Sequence, residues 1–487
     1  MKHTAAERAA LTCEFNSSLK GTPFDIPIPV DPACIPRLIQ SLRNQQILNP
    51  GTLHSLLSLA TQYFTAQPNV PELLFSEKHP VIVVGDVHGL FFDVCSIFST
   101  EGMPNPENRR FLFNGDLVDR GSWSVEIIVL LCVLALAYPG TVYINRGNHE
   151  SVWTSTEYGF FSEVSVKYDA SIYESFMGFF RSLPLATVCR QSTPALALRS
   201  IRQAQQGVYT GHQAAQVASS TGQEGDREGE REEDAPSNPF DSLASAMSTD
   251  TVDTTNTGEC EGDGCEVVES VVVGSASDSS TQTSPHKHKH KHHKHKHHKD
   301  HKHGSHSHPD HPPSPLTPVI LVVHGGIPSR ESVTMGDICS LQRDQEPSYG
   351  TLGSILWTDP HPGTGYIQSM RPFCRSFGTD VTRHFLKANA LTHVVRSHEM
   401  VSGHRVERGH LMPGRKGADG ASMPAYHCLV TLFSAAGPTN NAHTLCLQSP
   451  LPWDIDLWDY RRIVPAVSTP SPLWTFTRVG DAGCCVM

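Results

Sequence analysis

Short apolar runs along this 487-residue chain end repeatedly in small clusters of acid, amide and imidazole residues. Val81-Ile-Val-Val84 runs into Gly85-Asp86-Val87-His88-Gly89. Phe111-Leu-Phe113 runs into Asn114-Gly115-Asp116-Leu117-Val118-Asp119-Arg120-Gly121, and Val142-Tyr-Ile144 into Asn145-Arg146-Gly147-Asn148-His149-Glu150. Runs of this kind, rich in Val, Ile and Phe and bounded by Gly, predict buried strands. Further along, Val319 to Val323 ends in His324-Gly325-Gly326, Leu391 to Val395 ends in Arg396-Ser397-His398-Glu399, and Cys428 to Phe433 ends in Ser434-Ala435. Polar residues placed just beyond the carboxyl ends of neighbouring strands converge on one crevice. The longest apolar stretch, Ile127 to Tyr138, predicts a buried helix between two strands; at ~1.5 Å per residue it is too short to cross a bilayer.

The flanking segments read differently. Residues 1–80 hold a proline-punctuated stretch from Pro23 to Pro36. Then Leu38, Leu42, Ile47 and Leu53, Leu56, Leu57, Leu59, Tyr63 predict two amphipathic helices. After Glu150, the aromatic residues Tyr158, Phe160, Tyr168, Tyr173, Phe176, Phe179 and Phe180 predict helices that cover the sheet. From 191 to 316 the composition shifts to Gln, Ser, Thr, Gly, Asp and Glu, including the acidic run Glu224 to Asp234, and then to a Lys/His tract from His286 to His311. Such a segment cannot bury enough apolar surface to offset its ordering entropy, which predicts a disordered insertion. The expected organisation is a helical leader (1–80), a first folded segment (81–190), the insertion (191–316), a second folded segment (317–450) and a tail (451–487).

A formal net charge of −11 argues against nucleic acid as the main partner. Thirteen cysteines lie scattered, several inside apolar runs, and Met1-Lys-His-Thr-Ala opens without a secretory apolar region. Both features predict reduced thiols and an intracellular, cytoplasmic location.

Taken together and in this order, G-D-V-H-G, G-D-L-V-D-R-G and R-G-N-H-E closely resemble the metal-dependent phosphoprotein phosphatases, the PPP family. Leu48-Asn-Pro50 through Val70 and the run Tyr158 to Leu185 are similar to its type 5 branch, and Leu356-Trp-Thr-Asp-Pro360 and Arg371 to Gly378 are similar to the family's tryptophan-containing turn and basic segment. The resemblance covers roughly 48–190 and 318–434. It implies an α/β fold, a four-layer αββα metallophosphoesterase (calcineurin-like) sandwich, and hydrolysis of phosphoserine and phosphothreonine in phosphoprotein substrates. It also implies two metal ions, Mn, Fe or Zn, clamping the phosphoryl oxygens with a hydroxide between them. By resemblance, Asp86, His88 and Asp116 hold the first metal, and Asp116, Asn148, His324 and His398 hold the second. Arg120 and Arg371 orient the phosphoryl group, His149 is the general acid, and Asp119 orients its ring. Arg146 and Glu150 brace the site. Two other readings keep parts of this pattern: a hydrolase of dinucleoside polyphosphates or other small phosphoesters, and a catalytically impaired, membrane-attached phosphopeptide-binding protein.

One departure from the family stands out. Where the family has S-A-P-N-Y beside the phosphate, this chain has Ser434-Ala435-Ala436-Gly437-Pro438, and Tyr426 is the phenol nearest in sequence. The terminal Cys484-Cys485-Val486-Met487 fits a prenylation signal, with farnesyl on Cys484. One lipid binds membranes only marginally, so the Lys/His tract is a second signal for an anionic membrane surface. That tract is also suited to binding transition metals.

Overall fold

Alternate residues of Val81–Val84 face different apolar layers. Val81 and Val83 pack with Leu112, Ile320, Val322 and Leu445, whereas Ile82 and Val84 pack with Phe98, Phe111 and the helices beyond. This two-residue period is that of a strand buried on both faces. The chain is described by a computed structural model over residues 21–193, 317–414, 422–437, 440–465 and 469–472. The insertion core, the Lys/His tract and Cys484 lie outside the described residues.

In chain order the sandwich strands are β1 (Glu72–Phe75), β2 (Val81–Val84), β3 (Arg110–Phe113), β4 (Val142–Ile144), β5 (Ala186–Gln191) and β6 (Val319–Val323). They continue with β7 (His393–Arg396), β8 (His404–Val406), β9 (Leu429–Leu432), β10 (His443–Leu447) and β11 (Asp459–Arg462). One sheet runs β8-β9-β7-β6-β5-β1 and the other β11-β10-β2-β3-β4. The strands carrying the polar clusters pair in parallel: Val84 opposes Phe113, Phe113 opposes Ile144, and Val395 opposes both Val322 and Val430. Parallel pairing turns all their carboxyl ends the same way, which brings the clusters to one edge of the sandwich.

Helices close the outer face of the β2–β4 sheet. They are α1 (Ile35–Arg43), α2 (Pro50–Thr65), α3 (Phe91–Glu101), α4 (Ser124–Ala137), α5 (Val152–Glu157), α6 (Phe160–Lys167) and α7 (Ala170–Ser182). The other sheet is covered by α8 (Met335–Cys339), α9 (Thr351–Trp357) and α10 (Thr379–Ala388). Ile355, Leu356, Phe385 and Leu386 pack there against Leu321, Val394 and Leu429. The result is the four-layer αββα sandwich. Each fully buried Val or Leu of the inner layer contributes about 1.5–3 kcal/mol relative to exposure.

The leader belongs to the same core, because Leu38, Leu42, Leu53, Leu56 and Phe64 share one cluster with α4 and α7. Two of its predicted positions fall elsewhere. Ile47 leaves the helix and pairs with Pro23 in a short parallel bridge, since α1 ends at Arg43 and Gln45 turns the chain with φ +56°. Leu59 is only partly buried, the next turn of α2 using Ala60 and Phe64 instead. The apolar run from Ile127 forms α4, which is buried from Ser124 to Ala135. Among the described residues no helix is long and apolar enough to cross a membrane.

Candidate active site

Every polar cluster starts just beyond the end of a strand. Asp86 and His88 follow β2, Asp116 and Asp119 follow β3, Asn148 and His149 follow β4, His324 follows β6, and His398 follows β7. The turns that aim them are tight. His88, Asp116, Asp119, Arg120 and His398 hold φ of +41°, +50°, +72°, +67° and +71°. Non-glycine residues rarely adopt that region, and such strain concentrates at functional sites. Gly115, with φ +84°, and Gly147 meet back to back below the site. A Cβ on Gly147 would run into the backbone nitrogen and carboxylate of Asp116.

Beneath the site, buried amides tie the two sheets together. Asn114 Nδ2 donates to Val323 O at 2.9 Å and to Ser397 Oγ at 3.0 Å, while Asn145 Nδ2 donates to Asn114 Oδ1 at 2.8 Å and to Val322 O at 3.1 Å. The Thr187 hydroxyl completes the chain by donating to Asn145 Oδ1 at 2.8 Å. No sequence expectation assigned these asparagines a role. Their signal was position, each coming directly after the last apolar residue of its strand.

The side chains then converge. Two overlapping groups each bring their ligand atoms within 4.8 Å of one another: His88, Asp116 and His149, and Asp116, His324 and His398. Asp116 belongs to both. His324 Nε2 is 3.2 Å from Asp116 Oδ1, and its Nδ1 faces the Asn114 carbonyl at 2.8 Å and Asp86 Oδ1 at 3.8 Å. Asp86 Oδ1 also accepts the backbone N–H of His398 at 3.2 Å. His88 Nδ1 faces the Val118 carbonyl at 3.0 Å, which leaves Nε2 directed at Asp116 Oδ2, 3.8 Å away.

These donors fit metal ions. Burial and then His324 hold the His398 imidazole well below its usual range, and burial and then His149 do the same for His88. Both rings are therefore neutral and offer a lone pair. His398 Nε2 is buried with no hydrogen-bond partner. Asn148 turns one end of its amide to within 2.8 Å of both His324 Nε2 and His398 Nδ1. A nitrogen there donates to His398 Nδ1, whereas an oxygen there leaves that lone pair to a cation. Burial, and then the neighbouring Asp116 charge, push the Asp86 carboxyl up to about 7. Burial disfavours a charged His324, yet Asp116 and Asp86 outweigh it and raise the ring to about 9. Two carboxylates packed this closely in a dry site need positive charge beside them.

His149 lies among the ligand groups and is buried. Its Nδ1 lies 2.6 Å from Asp119 Oδ2, and its Nε2 lies 3.8 Å from Asp116 Oδ2. Burial opposes protonation of this ring, but Asp116 and the hydrogen bond to Asp119 raise its pKa overall. Asp119 is fixed in turn by the backbone N–H of Phe160, donating to Oδ1 at 2.8 Å. Arg120 lies with its guanidinium 5.4 Å from the Tyr158 ring centre, and that ring stands 5.2 Å from His149. Arg371 Nε donates to Asp359 Oδ2 at 3.0 Å, and the other oxygen of Asp359 accepts from buried Arg396 at 2.7 Å.

Tyr426 is not the site's phenol. Its buried ring packs against His393 and Trp453, 5.1 and 5.6 Å away, in the layer outside the β7 sheet. The phenol beside His149 is Tyr158, a member of the aromatic run that the sequence predicts to cover the sheet. Glu150 and Arg146 are fully buried and bond to backbone around the site.

The two-sheet sandwich thus gathers paired carboxylates, an amide and imidazoles at its strand ends. Residues 79–228 match the family model described as calcineurin-like phosphoesterase, and the chain carries a domain of that kind. Among curated proteins it is similar to human serine/threonine-protein phosphatase 5, with 25% identity over 374 residues, 76% of this chain and 49% of that protein. It is also similar to serine/threonine-protein phosphatase T of Saccharomyces cerevisiae, with 26% identity over 352 residues, 72% of this chain and 44% of the relative. The chain thus spans about half the length of the curated relatives it matches. A solved Saccharomyces cerevisiae protein serine/threonine phosphatase with similarity to human phosphatase PP5 superposes with a TM-score of 0.54 at 23% identity, covering 88% of this chain and 94% of that one. That likeness is one of fold.

Proposed function

We propose that this chain is a protein serine/threonine phosphatase that hydrolyses phosphoserine and phosphothreonine esters in one step, with no covalent phosphoenzyme. The observation that carries this reading is the His149–Asp119 pair, 2.6 Å apart and facing the Asp116 carboxylate at the centre of the ligand cluster. Asp86, His88 and Asp116 would hold one metal, and Asp116, Asn148, His324 and His398 the other. The chemistry such a pair supplies when bound is neutralisation of phosphoryl charge and activation of a water for attack at phosphorus. Imidazole, amide and carboxylate donors suit Mn, Fe and Zn alike.

The chain's own residues do the remainder. Arg120 and Arg371 present guanidinium groups to the phosphoryl oxygens, where paired hydrogen bonds fix orientation as well as charge. Tyr158 supports Arg120 from beneath, and Asp359 supports Arg371. His149 gives the Nε2 proton to the departing serine or threonine oxygen. Asp119, bonded at Nδ1, keeps the ring turned to do so and stabilises its charged form. The assay is phosphate release from a phosphothreonine peptide with and without Mn²⁺, beside His149→Ala and a dinucleoside polyphosphate. Metal-dependent release lost in His149→Ala is the expected outcome. Release from the dinucleotide alone would transfer the chain to small phosphoester hydrolysis, and tight phosphopeptide binding without turnover would make it a binding protein.

The reading extends to location. The chain is intracellular and is tethered to membranes through farnesyl on Cys484, with the Lys/His tract as a second contact that strengthens as histidines protonate below about pH 6.5. Flotation of farnesylated protein with liposomes tests this. Binding indifferent to anionic lipid content and to pH would refute the second contact.

A further inference from the structure

The turn that carries Asn148 and His149 is gripped at both ends by one segment far away in sequence. Fully buried Arg146 donates from Nη1 to Gln345 O at 2.9 Å and to Arg343 O at 3.2 Å, and from Nε to Glu150 O at 2.9 Å. At the other end the Val152 N–H donates to Glu346 Oε2 at 2.8 Å. Residues 343–346 lie between α8 and α9 with no helix or strand of their own, so side-chain bonds set their place. Arg343 supplies those bonds. Its buried guanidinium donates from Nη2 to Phe64 O at 2.7 Å, Gln67 O at 2.8 Å and Thr65 O at 3.2 Å, and from Nη1 to Asn69 Oδ1 at 3.2 Å. These carbonyls close the C-terminal end of the leader helix α2, where the helix dipole favours a cation.

Asn69 fastens the same junction from the leader's side. Its Nδ2 faces Leu341 O at 2.6 Å and Cys339 O at 3.0 Å, and its own carbonyl accepts the Leu185 N–H at 2.8 Å. The next carbonyl back, that of Pro184, accepts the Arg146 N–H at 2.7 Å. Two routes therefore run from the end of α2 to Arg146. One passes through its side chain and the other through its backbone.

We infer that Arg343 is a positioning residue: by seating residues 343–346 on the end of α2 it sets the Arg146–Val152 turn, and with it Asn148 among the metal positions and His149 beside Asp119. The inference rests on the phosphatase reading and adds that the leader is a working part of the site. Arg146 Nη2 already lacks a hydrogen-bond partner. Releasing the Nη1 bonds as well would leave a buried guanidinium largely unpaired, which costs more than moving the turn, so the turn follows the segment.

The test uses the full chain. Arg343→Gln removes the fork that reaches the α2 carbonyls. Its Mn²⁺ affinity by calorimetric titration should weaken about tenfold. At saturating Mn²⁺ its kcat on a phosphothreonine peptide should fall about tenfold with KM within about twofold, because His149 shifts while Arg120 and Arg371 stay in place. Arg343→Lys, with the charge but one nitrogen, should fall between. Leu53→Ala, twelve residues before Thr65 on α2 and buried in the core, is the control for stability. It should lower the urea midpoint and leave metal affinity and kcat as in wild type. Hydrogen exchange reads the turn directly: relative to β9 in the same molecule, residues 145–152 should exchange about tenfold faster in Arg343→Gln, a ratio that a general loss of stability does not raise. An unchanged ratio overturns the inference, as does a Leu53→Ala variant that loses as much metal affinity. If Arg343→Gln fails to fold, Arg343→Lys and Asn69→Ala face the same measurements and the same criteria. If wild type binds Mn²⁺ but turns over no peptide, the phosphatase reading fails, and affinity and exchange decide; if it binds no Mn²⁺, exchange alone decides.

Discussion

Glu150 Oε2 accepts the backbone N–H of Asp116 at 2.9 Å and that of Gly147 at 2.8 Å, while Oε1 accepts from Leu117 at 2.8 Å. One buried carboxylate thus holds the turn that carries the shared ligand against the turn that carries Asn148 and His149. Glu150→Gln would place an NH₂ against at least one of these N–H groups. The expected result is a loss of about 1–3 kcal/mol in urea unfolding and metal affinity weakened about 10–100-fold by titration, although Glu150 touches no metal position.

Asp119 Oδ2 lies 2.6 Å from His149 Nδ1. Asp119→Asn keeps the shape but removes the charge that favours a protonated ring, so kcat on a phosphothreonine peptide should fall by about 10²-fold or more. p-Nitrophenyl phosphate, whose leaving group departs without a proton, should be affected far less. Equal losses on both substrates would show that Asp119 serves the architecture and not proton transfer.

Tyr158 lies under the Arg120 guanidinium, 5.4 Å away. Tyr158→Ala removes that face and should raise KM for phosphopeptides about three- to tenfold through a loosened Arg120, whereas Tyr158→Phe should stay close to wild type. A fall in kcat with KM unchanged would place the phenol in the chemistry instead.

Acid sensitivity is expected at a histidine pair on β8 and β10. His404 stacks flat on Tyr460, ring centres 3.6 Å apart, and its Nδ1 lies 2.9 Å from His443 Nδ1. Burial and then His443 lower its pKa to about 4 from an ordinary 6.5. The folded state then binds fewer protons than the unfolded one. The contribution is complete above about pH 6.5 and is lost as pH falls toward about 4. His404→Phe keeps the stack without the titration, so its urea midpoint should decline less than wild type's between about pH 7 and about pH 5. Parallel declines would remove His404 from the account.

The strands were legible because each is a short apolar run stopped by a glycine or a polar cluster. Val81–Val84, Val142–Ile144 and Val319–Val323 have the predicted limits, and β7 is displaced to His393–Arg396 because Leu391 packs below the strand instead of pairing. The convergence of Asp86, Asp116, Asn148, His324 and His398 was also foreseeable, since parallel strands must send their ends to one edge. What stayed hidden was whatever depends on distant segments meeting in space. The Asn114–Asn145 bridge spans two sheets, and Asp359 joins Arg371 to Arg396. Tyr158 illustrates the limit best, because an aromatic residue among aromatic residues looks like core until its neighbours are known.

The antiparallel ladder between β5 and β6 sets Arg190 opposite Val319 and Ala186 opposite Val323. All of the sequence from 192 to 318 therefore leaves and re-enters the sandwich at neighbouring points, and the two sides are held by pairing that does not depend on an unbroken chain. A domain arranged this way is divisible. Expressed as two polypeptides ending and beginning within that span, its halves have a complete ladder by which to find each other, so the fold can be assembled on command by whatever brings the pieces together.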